Sequence, residues 1–353
     1  MTEPLANAAP LARIIDAIRL NAPGIALSAA VAVAAVLAAP YVAPVLPIPA
    51  MVIALFIGIA LNALASRPLY RPGISFCVKT LLRWAVALLG LRIALGEIAA
   101  LGLSTAVLVI VSMAVTLLSG FLLARAFGQS EHYGALAGAG TAVCGASATL
   151  ATATVLPNYR GKEADVAFVV VAVNALSTLA MVLYPLFCLW LGFSQTSTGV
   201  MLGATIHDVA QVVGAGYAVS EPVGNNAVIV KLFRVFLLLP VVLAVGYWVA
   251  SRGEREPGRA ASVPVPVFAL VFLALCVLNS VIPASGALAG IYAPIKSVLV
   301  EVSTWGLLIA IGALGLGTSV SSIAALGWRH VATVVGTTVV ILAVVTAGLL
   351  AIG

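Results

Sequence analysis

The chain has 353 residues, of which 63% are apolar and 8% charged, with a mean hydropathy of +1.21. Soluble domains carry about 25% charged residues, so this composition excludes a water-solvated globule and leaves an all-α, polytopic integral membrane protein. The net charge of +6 comes from Lys and Arg residues scattered singly between apolar runs, which excludes a nucleic-acid surface and fits charges that orient a chain in the lipid bilayer.

In chain order, residues 1–23 mix Glu3, Arg13, Asp16 and Arg19 with Leu11, Ile14, Ile15 and Ile18 at helical spacing. This predicts a cytoplasmic amphipathic segment, followed by an extra transmembrane helix within 24–47. Apolar runs bounded by charge, Pro and Gly then define eleven candidate spans: 24–42, 48–65, 76–96, 101–125, 134–156, 164–192, 198–218, 225–250, 264–283, 290–318 and 329–352. With the N-terminus inside, Arg67, Arg71, Arg125, Arg252, Arg255, Arg259 and Arg329 gather on the cytoplasmic side. Arg160 and Lys162 fall on the opposite side, as the exception to the positive-inside rule.

An odd number of spans suggests one helix outside a five-plus-five inverted repeat, with halves at 48–192 and 193–353. In that register Asn62 faces His207, and the cationic pair Lys79 and Arg83 of span three matches Lys231 and Arg234 of span eight.

Span five contains Gly138-Ala-Gly140-Thr141-Ala-Val-Cys144-Gly145-Ala-Ser147-Ala-Thr149. Glycine and hydroxyl residues replace the branched aliphatics that lipid favours, so the helix is expected to break and aim backbone N–H groups into the midplane. Close packing through small residues is the competing explanation. Span ten, its repeat partner, ends Gly312-Ala-Leu-Gly315-Leu-Gly317-Thr318-Ser319 and is the second candidate broken helix. Span seven carries His207 and Gln211 on one helical face, with Asp208 turned about 100° away toward Lys231 or Arg234. Ionisable residues at that depth normally face a cavity or a partner, and histidine can carry a coupling proton. Lys231 and Arg234 lie inside the non-cytoplasmic end of span eight, where orientation gives no reason for two cations, which makes them anion-binding candidates. Lys79 and Arg83 follow a cytoplasmic loop, and snorkelling explains them equally well.

Enzymatic signals are thin: HExxH is absent, and Gly-Ala-Ser147-Ala-Thr is not a nucleophile elbow. The four cysteines, Cys77, Cys144, Cys188 and Cys276, lie in apolar runs without CxxC spacing, so no metal site, disulfide framework or cofactor is expected.

The stretches Gly-Ala-Gly-Thr-Ala-Val-Cys144-Gly-Ala-Ser147-Ala, Gly-Ala-Thr-Ile-His207-Asp208-Val-Ala-Gln211-Val-Val-Gly-Ala-Gly216 and Val-Lys231-Leu-Phe-Arg234-Val together resemble the YeiH-like sulfate exporter family, from about residue 50 onward. That family is grouped with bile acid, arsenite and riboflavin transporters. The resemblance implies an inverted-repeat fold with two crossing discontinuous helices, and export of sulfate or related sulfur oxyanions across the bacterial inner membrane. The Glu and Gln sodium ligands of bile acid transporters have no obvious match here.

The combined expectation is a secondary transporter, not an enzyme, that moves a small anion such as sulfate, sulfite or a sulfonate. A core of spans five and ten would move against the remaining helices. Lys231, Arg234, His207, Gln211, Thr141, Cys144, Gly145 and Ser147 would hold the anion, and Asp208 with His207 would couple it to a proton or ion. Asn62, Lys79, Arg83, Thr318 and Ser319 are secondary candidates. An organic-acid or neutral metabolite on the same scaffold is the alternative substrate, ahead of a channel or an intramembrane enzyme, and assembly into a homo-oligomer is compatible with the sequence.

Overall fold

The structure is a computed structural model that describes residues 10–42, 50–65, 67–253, 267–282, 287–317 and 328–352, all helical or in short connections. In chain order the helices are α1 (Pro10–Val42), α2 (Ala50–Ala60), α3 (Asn62–Ala65), α4 (Arg71–Phe76), α5 (Leu82–Leu88), α6 (Leu95–Ala100), α7 (Gly102–Ala126) and α8 (Glu131–Ala142). They continue with α9 (Ala146–Val155), α10 (Lys162–Trp190), α11 (Gln195–Thr205), α12 (Val209–Val219), α13 (Glu221–Phe236), α14 (Leu238–Ser251), α15 (Val267–Val281), α16 (Ala287–Gly317) and α17 (Trp328–Ile352). A π-helical turn at Cys77–Leu81 joins α4 to α5. Among the described residues, seven segments are long and apolar enough to cross a membrane: Arg19–Val42, Arg71–Leu91, Gly102–Ala126, Lys162–Trp190, Glu221–Ser251, Gly290–Gly317 and Trp328–Ile352. The chain is an all-α, multi-pass membrane protein.

The helices divide into two compact units, residues 1–92 with 282–319, and residues 93–281 with 320–353. In the first, α1 is one helix through the boundary expected at residue 23, because a proline there forfeits a single backbone bond and is accommodated. A Cβ on Gly73 would lie 2.7 Å from the Gly24 Cα, and one on Gly58 would lie 2.9 Å from the Gly315 Cα, so glycines set the α1–α4 and α2–α16 crossings. Asn62, just after the α2–α3 break, donates to the Leu316 carbonyl at 2.7 Å and so caps the end of α16.

The second unit departs from the expected topology at two places. Placed end to end, α8 and α9, of 12 and 10 residues, would separate their outer ends by more than 30 Å. Instead the His132 ring, at the start of α8, stacks on Tyr159, beyond the end of α9, at 5.2 Å. His132 also meets Trp248 at 5.8 Å, while Val155 at the end of α9 packs on Gly246 of the same helix, α14. Helix α9 therefore runs back beside α8, and the pair is a re-entrant hairpin. Lys162 closes its mouth by donating to the Leu156 carbonyl at 2.8 Å.

The same logic applies to α11 and α12. Gly199 and Gly203 of α11 pack on Asn226 and Val230 of α13, so these helices run parallel. Gly216 of α12 returns to Gly224 and Ala227, so α12 runs antiparallel to α13. Both ends of this hairpin lie at the start of α13. Helix α10, with 29 residues and a length of about 43 Å, leads from the mouth of the first hairpin to the beginning of the second. The two hairpins therefore enter this unit from opposite ends.

This corrects several expectations. Spans five and seven turn back on themselves, and span seven is a broken helix that the sequence reading did not expect. Helix α16 is continuous through Gly317 and belongs to the other unit, so a core of spans five and ten is not what the contacts define. The residues Thr318 and Ser319 lie outside the described residues. Arg160 and Lys162 are not on the far side from Arg125. Because span five does not cross, they share an end with Arg125, Arg252 and Arg329, where Arg252 pairs with Glu131 of α8 and His330 Nε2 lies 3.5 Å from Asp165.

Candidate functional site

The hairpin tips, Val143–Gly145 and Ile206–Asp208, meet beside the middle of α13. A Cβ built on Gly145 would stand 3.7 Å from the His207 Cβ. Lys231 is ten residues beyond Glu221, so the meeting point lies about 15 Å along α13, half the thickness of a hydrocarbon core. Gly145 makes the first tip possible: its φ of +64° and ψ of −121° belong to a region that residues with a Cβ avoid.

At each tip one helix ends and another begins, so four sets of unpaired backbone groups converge in a buried place. The ends of α8 and α11 present carbonyls and a negative partial charge. Lys231 and Arg234, each 0% exposed, answer them. Lys231 donates to Val143 O at 2.7 Å, Ile206 O at 2.9 Å and the carbonyl of His207. Arg234 donates through Nε to Ala142 O at 3.1 Å, through Nη1 to Gly203 O and Ile206 O, both at 2.9 Å, and through Nη2 to Thr141 O at 2.8 Å and Ala142 O at 2.9 Å. An ammonium has three N–H groups and a guanidinium five, so every one is occupied. Lys231 and Arg234 thus join the two tips, because main-chain carbonyls at helix ends claim their donors.

The beginnings of α9 and α12 present N–H groups and a positive partial charge. Helix α12 is capped, with the Asp208 carboxylate accepting from Ala210 N at 2.8 Å and the Asp208 N–H donating to Ser177 Oγ of α10 at 3.1 Å. Helix α9 begins at Gly145, whose lack of a side chain leaves the cap position itself unable to accept an N–H. Its first turn carries Ser147, half-buried, next to the buried Cys144.

Helix α17 supplies a polar stripe that the sequence reading missed. Thr337 and Thr338 both give their hydroxyl protons to Val334 O, at 2.9 and 2.8 Å. The Thr141 and Thr337 hydroxyls lie 2.9 Å apart, and His207 Nε2 lies 3.0 Å from Thr338 Oγ1, both within hydrogen-bond distance. His207 Nδ1 and Gln211 Oε1 are buried and make no hydrogen bond of proper distance and angle. The readable signal is the adjacent pair Thr337-Thr338 in the middle of a largely aliphatic span.

Of the predicted residues, Thr141, Cys144, Gly145, Ser147, His207, Asp208, Gln211, Lys231 and Arg234 come together here. The secondary candidates do not: Asn62, Lys79 and Arg83 belong to the other unit, where Lys79 and Arg83 have exposed side chains. This environment differs from that of their proposed repeat counterparts and suits snorkelling.

The family model described as conserved hypothetical protein 698 matches residues 23–334. The UPF0324 membrane protein TauZ of Paracoccus pantotrophus is 41% identical over 333 residues, covering 94% of this chain and 95% of its own. A UPF0324 membrane protein of Chlorobaculum tepidum is 40% identical over 90% of this chain and 86% of its own. The UPF0324 inner membrane protein YeiH of Escherichia coli K12 is 34% identical over 71% of this chain and 70% of its own. No solved structure matches the chain. A family model spanning most of the sequence, and relatives 34–41% identical over 70–95% of their own length, show that the chain belongs to the UPF0324 family of membrane proteins.

Proposed function

We propose that the chain is a secondary transporter of a small anion such as sulfate, sulfite or a sulfonate, and that the anion is held by the first turn of α9. One observation carries this reading: α9 begins at Gly145, a cap residue with no side chain of its own, at mid-depth, against the tip of the opposing hairpin. A buried helix beginning is a ready-made anion site, and low-dielectric surroundings strengthen it. Fixed charge points the same way. Two basic side chains, Lys231 and Arg234, are buried at the tips, and the Asp208 carboxylate there accepts the Ala210 N–H, so an anion improves the local balance. The cations contribute by cancelling the carbonyl ends of α8 and α11, which would otherwise repel an anion.

Two opposed re-entrant hairpins suit alternating access, since irregular backbone inside a membrane is tolerated where it lines a polar path. The positive-inside rule assigns the end bearing Arg125, Arg160, Lys162, Arg252 and Arg329 to the cytoplasm. Hairpin α8–α9 then enters from the cytoplasmic side and α11–α12 from the opposite side.

The test is Ser147→Asp. A carboxylate in the first turn of a helix stabilises it, so the variant keeps its melting temperature while placing a tethered anion where the substrate binds. Sulfate and methanesulfonate binding by the purified protein, and uptake into proteoliposomes, are expected to fall at least tenfold. Wild-type anion affinity in this variant would defeat the assignment.

A further inference from the structure

The acceptor atom of Gln211 calls for something more than a bare oxyanion. Asp208 and Gln211 occupy the cap and third helical positions of α12, the spacing of a capping box, in which the Gln oxygen would accept the N–H of the cap residue. Ser177 has taken that N–H instead. The amide end of Gln211 reaches Thr178 Oγ1 at 3.5 Å, and Thr178 has already given its hydroxyl proton to Asn174 O at 3.0 Å, so it can only accept. This holds the carboxamide with its NH₂ group toward α10 and leaves Oε1 over. Gln211 is 2% exposed, and Oε1 has no partner. A side chain in the first turn of a helix leans toward the helix beginning, here the tip whose His207 lies against Gly145.

We infer that Gln211 is a specificity residue for the anion site proposed above, and that the substrate class is an acid bearing an N–H or O–H donor a short chain away from its anionic group. The inference rests on that site. The anionic group lies on the first turn of α9, and the donor is accepted by Gln211 Oε1. A symmetrical oxyanion such as sulfate has no proton to offer at neutral pH, and would leave the acceptor buried and unpaired. A hydroxy- or aminoalkanesulfonate satisfies both ends. Selectivity of this kind is steep, because the analogue without the donor is penalised by a site that cannot be rehydrated.

Three probes of matched size decide it: ethanesulfonate, 2-hydroxyethanesulfonate and 2-aminoethanesulfonate, titrated calorimetrically into the purified protein at neutral pH, with and without sodium. The two donor-bearing ligands are expected to bind about 10- to 100-fold more tightly than ethanesulfonate. In Gln211→Met that ratio is expected to collapse to within threefold. Equal binding of the three by the wild type, or a preference that survives in Gln211→Met, would overturn the specificity assignment while leaving the anion site standing. Equal binding that requires sodium would overturn it too, by giving Oε1 to a cation. Failure of all three to bind defeats the anion site itself, and this inference with it.

Discussion

Replacing Arg234 by methionine separates the two roles a buried cation can have here. Its five hydrogen bonds end on four carbonyls, those of Thr141, Ala142, Gly203 and Ile206. Ile206 O keeps Lys231 in the variant, so three carbonyls lose their cationic donor. A buried group left unpaired costs about 1–3 kcal/mol. The loss is therefore roughly 3–9 kcal/mol, reduced by the desolvation that an apolar side chain no longer incurs. For domains of 150–250 residues each kcal/mol moves the melting temperature by about 2–4 °C, so a fall on the order of 10 °C is expected. The four cysteines are all buried and free, so a thiol-reactive dye reports unfolding directly in detergent. Arg234→Lys keeps the charge but has three donors in place of a planar fork of five, and is expected to recover less than half of the loss. A methionine variant that melts like the wild type yet no longer binds an anion would refute the reasoning and return Arg234 to direct contact with substrate.

Two further outcomes test the fold. In a cysteine-free background, single cysteines at Gly161 and Gly253 should be labelled by an impermeant maleimide from one face of the membrane, and cysteines at Gly192 and Ser220 from the other. Labelling of Gly161 and Gly253 from opposite faces would mean that α8 and α9 cross the membrane. Gly120→Ala, which sets a methyl 2.7 Å from the Gly138 Cα at the α7–α8 crossing, should cost about 1–3 kcal/mol by overpacking. Gly96→Ala in α6, with open space around it, should be neutral or stabilising by up to about 1 kcal/mol, and equal melting temperatures for the two would contradict the crossing.

Composition and apolar run length located the helices, since each of the eleven candidate spans overlaps a helix or a helix series, and the glycine- and hydroxyl-rich stretch at 138–149 marked a real break. What those signals do not carry is direction after the break. A segment as long as 134–156 can cross a membrane or fold back, and its own residues allow both. The choice is made by Gly145, which turns the chain, and by Lys231 and Arg234, which hold the carbonyls of residues 141–143 from a helix far along the sequence. The same remoteness hid the role of the two cations: depth in the span identified them as functional, but the carbonyls that consume their donors become neighbours only when both tips are in place.

One trace of the hairpins was nevertheless in the sequence, and it looked like an error. Assigning a crossing to span five put Arg160 and Lys162 on the wrong side for the positive-inside rule, while Arg252 and Arg329 still fell on the expected one. A single mistaken crossing would have reversed every later charge. Two mistaken crossings, at spans five and seven, reverse only the segment between them and restore the rest, which is the pattern the charges show. An isolated violation bracketed by agreement is thus a count of non-crossing segments, and it locates them on either side of α10. The orientation of Lys231 and Arg234 relative to the arginine-rich end survives this change of topology, because the parity of crossings before α13 is the same in both.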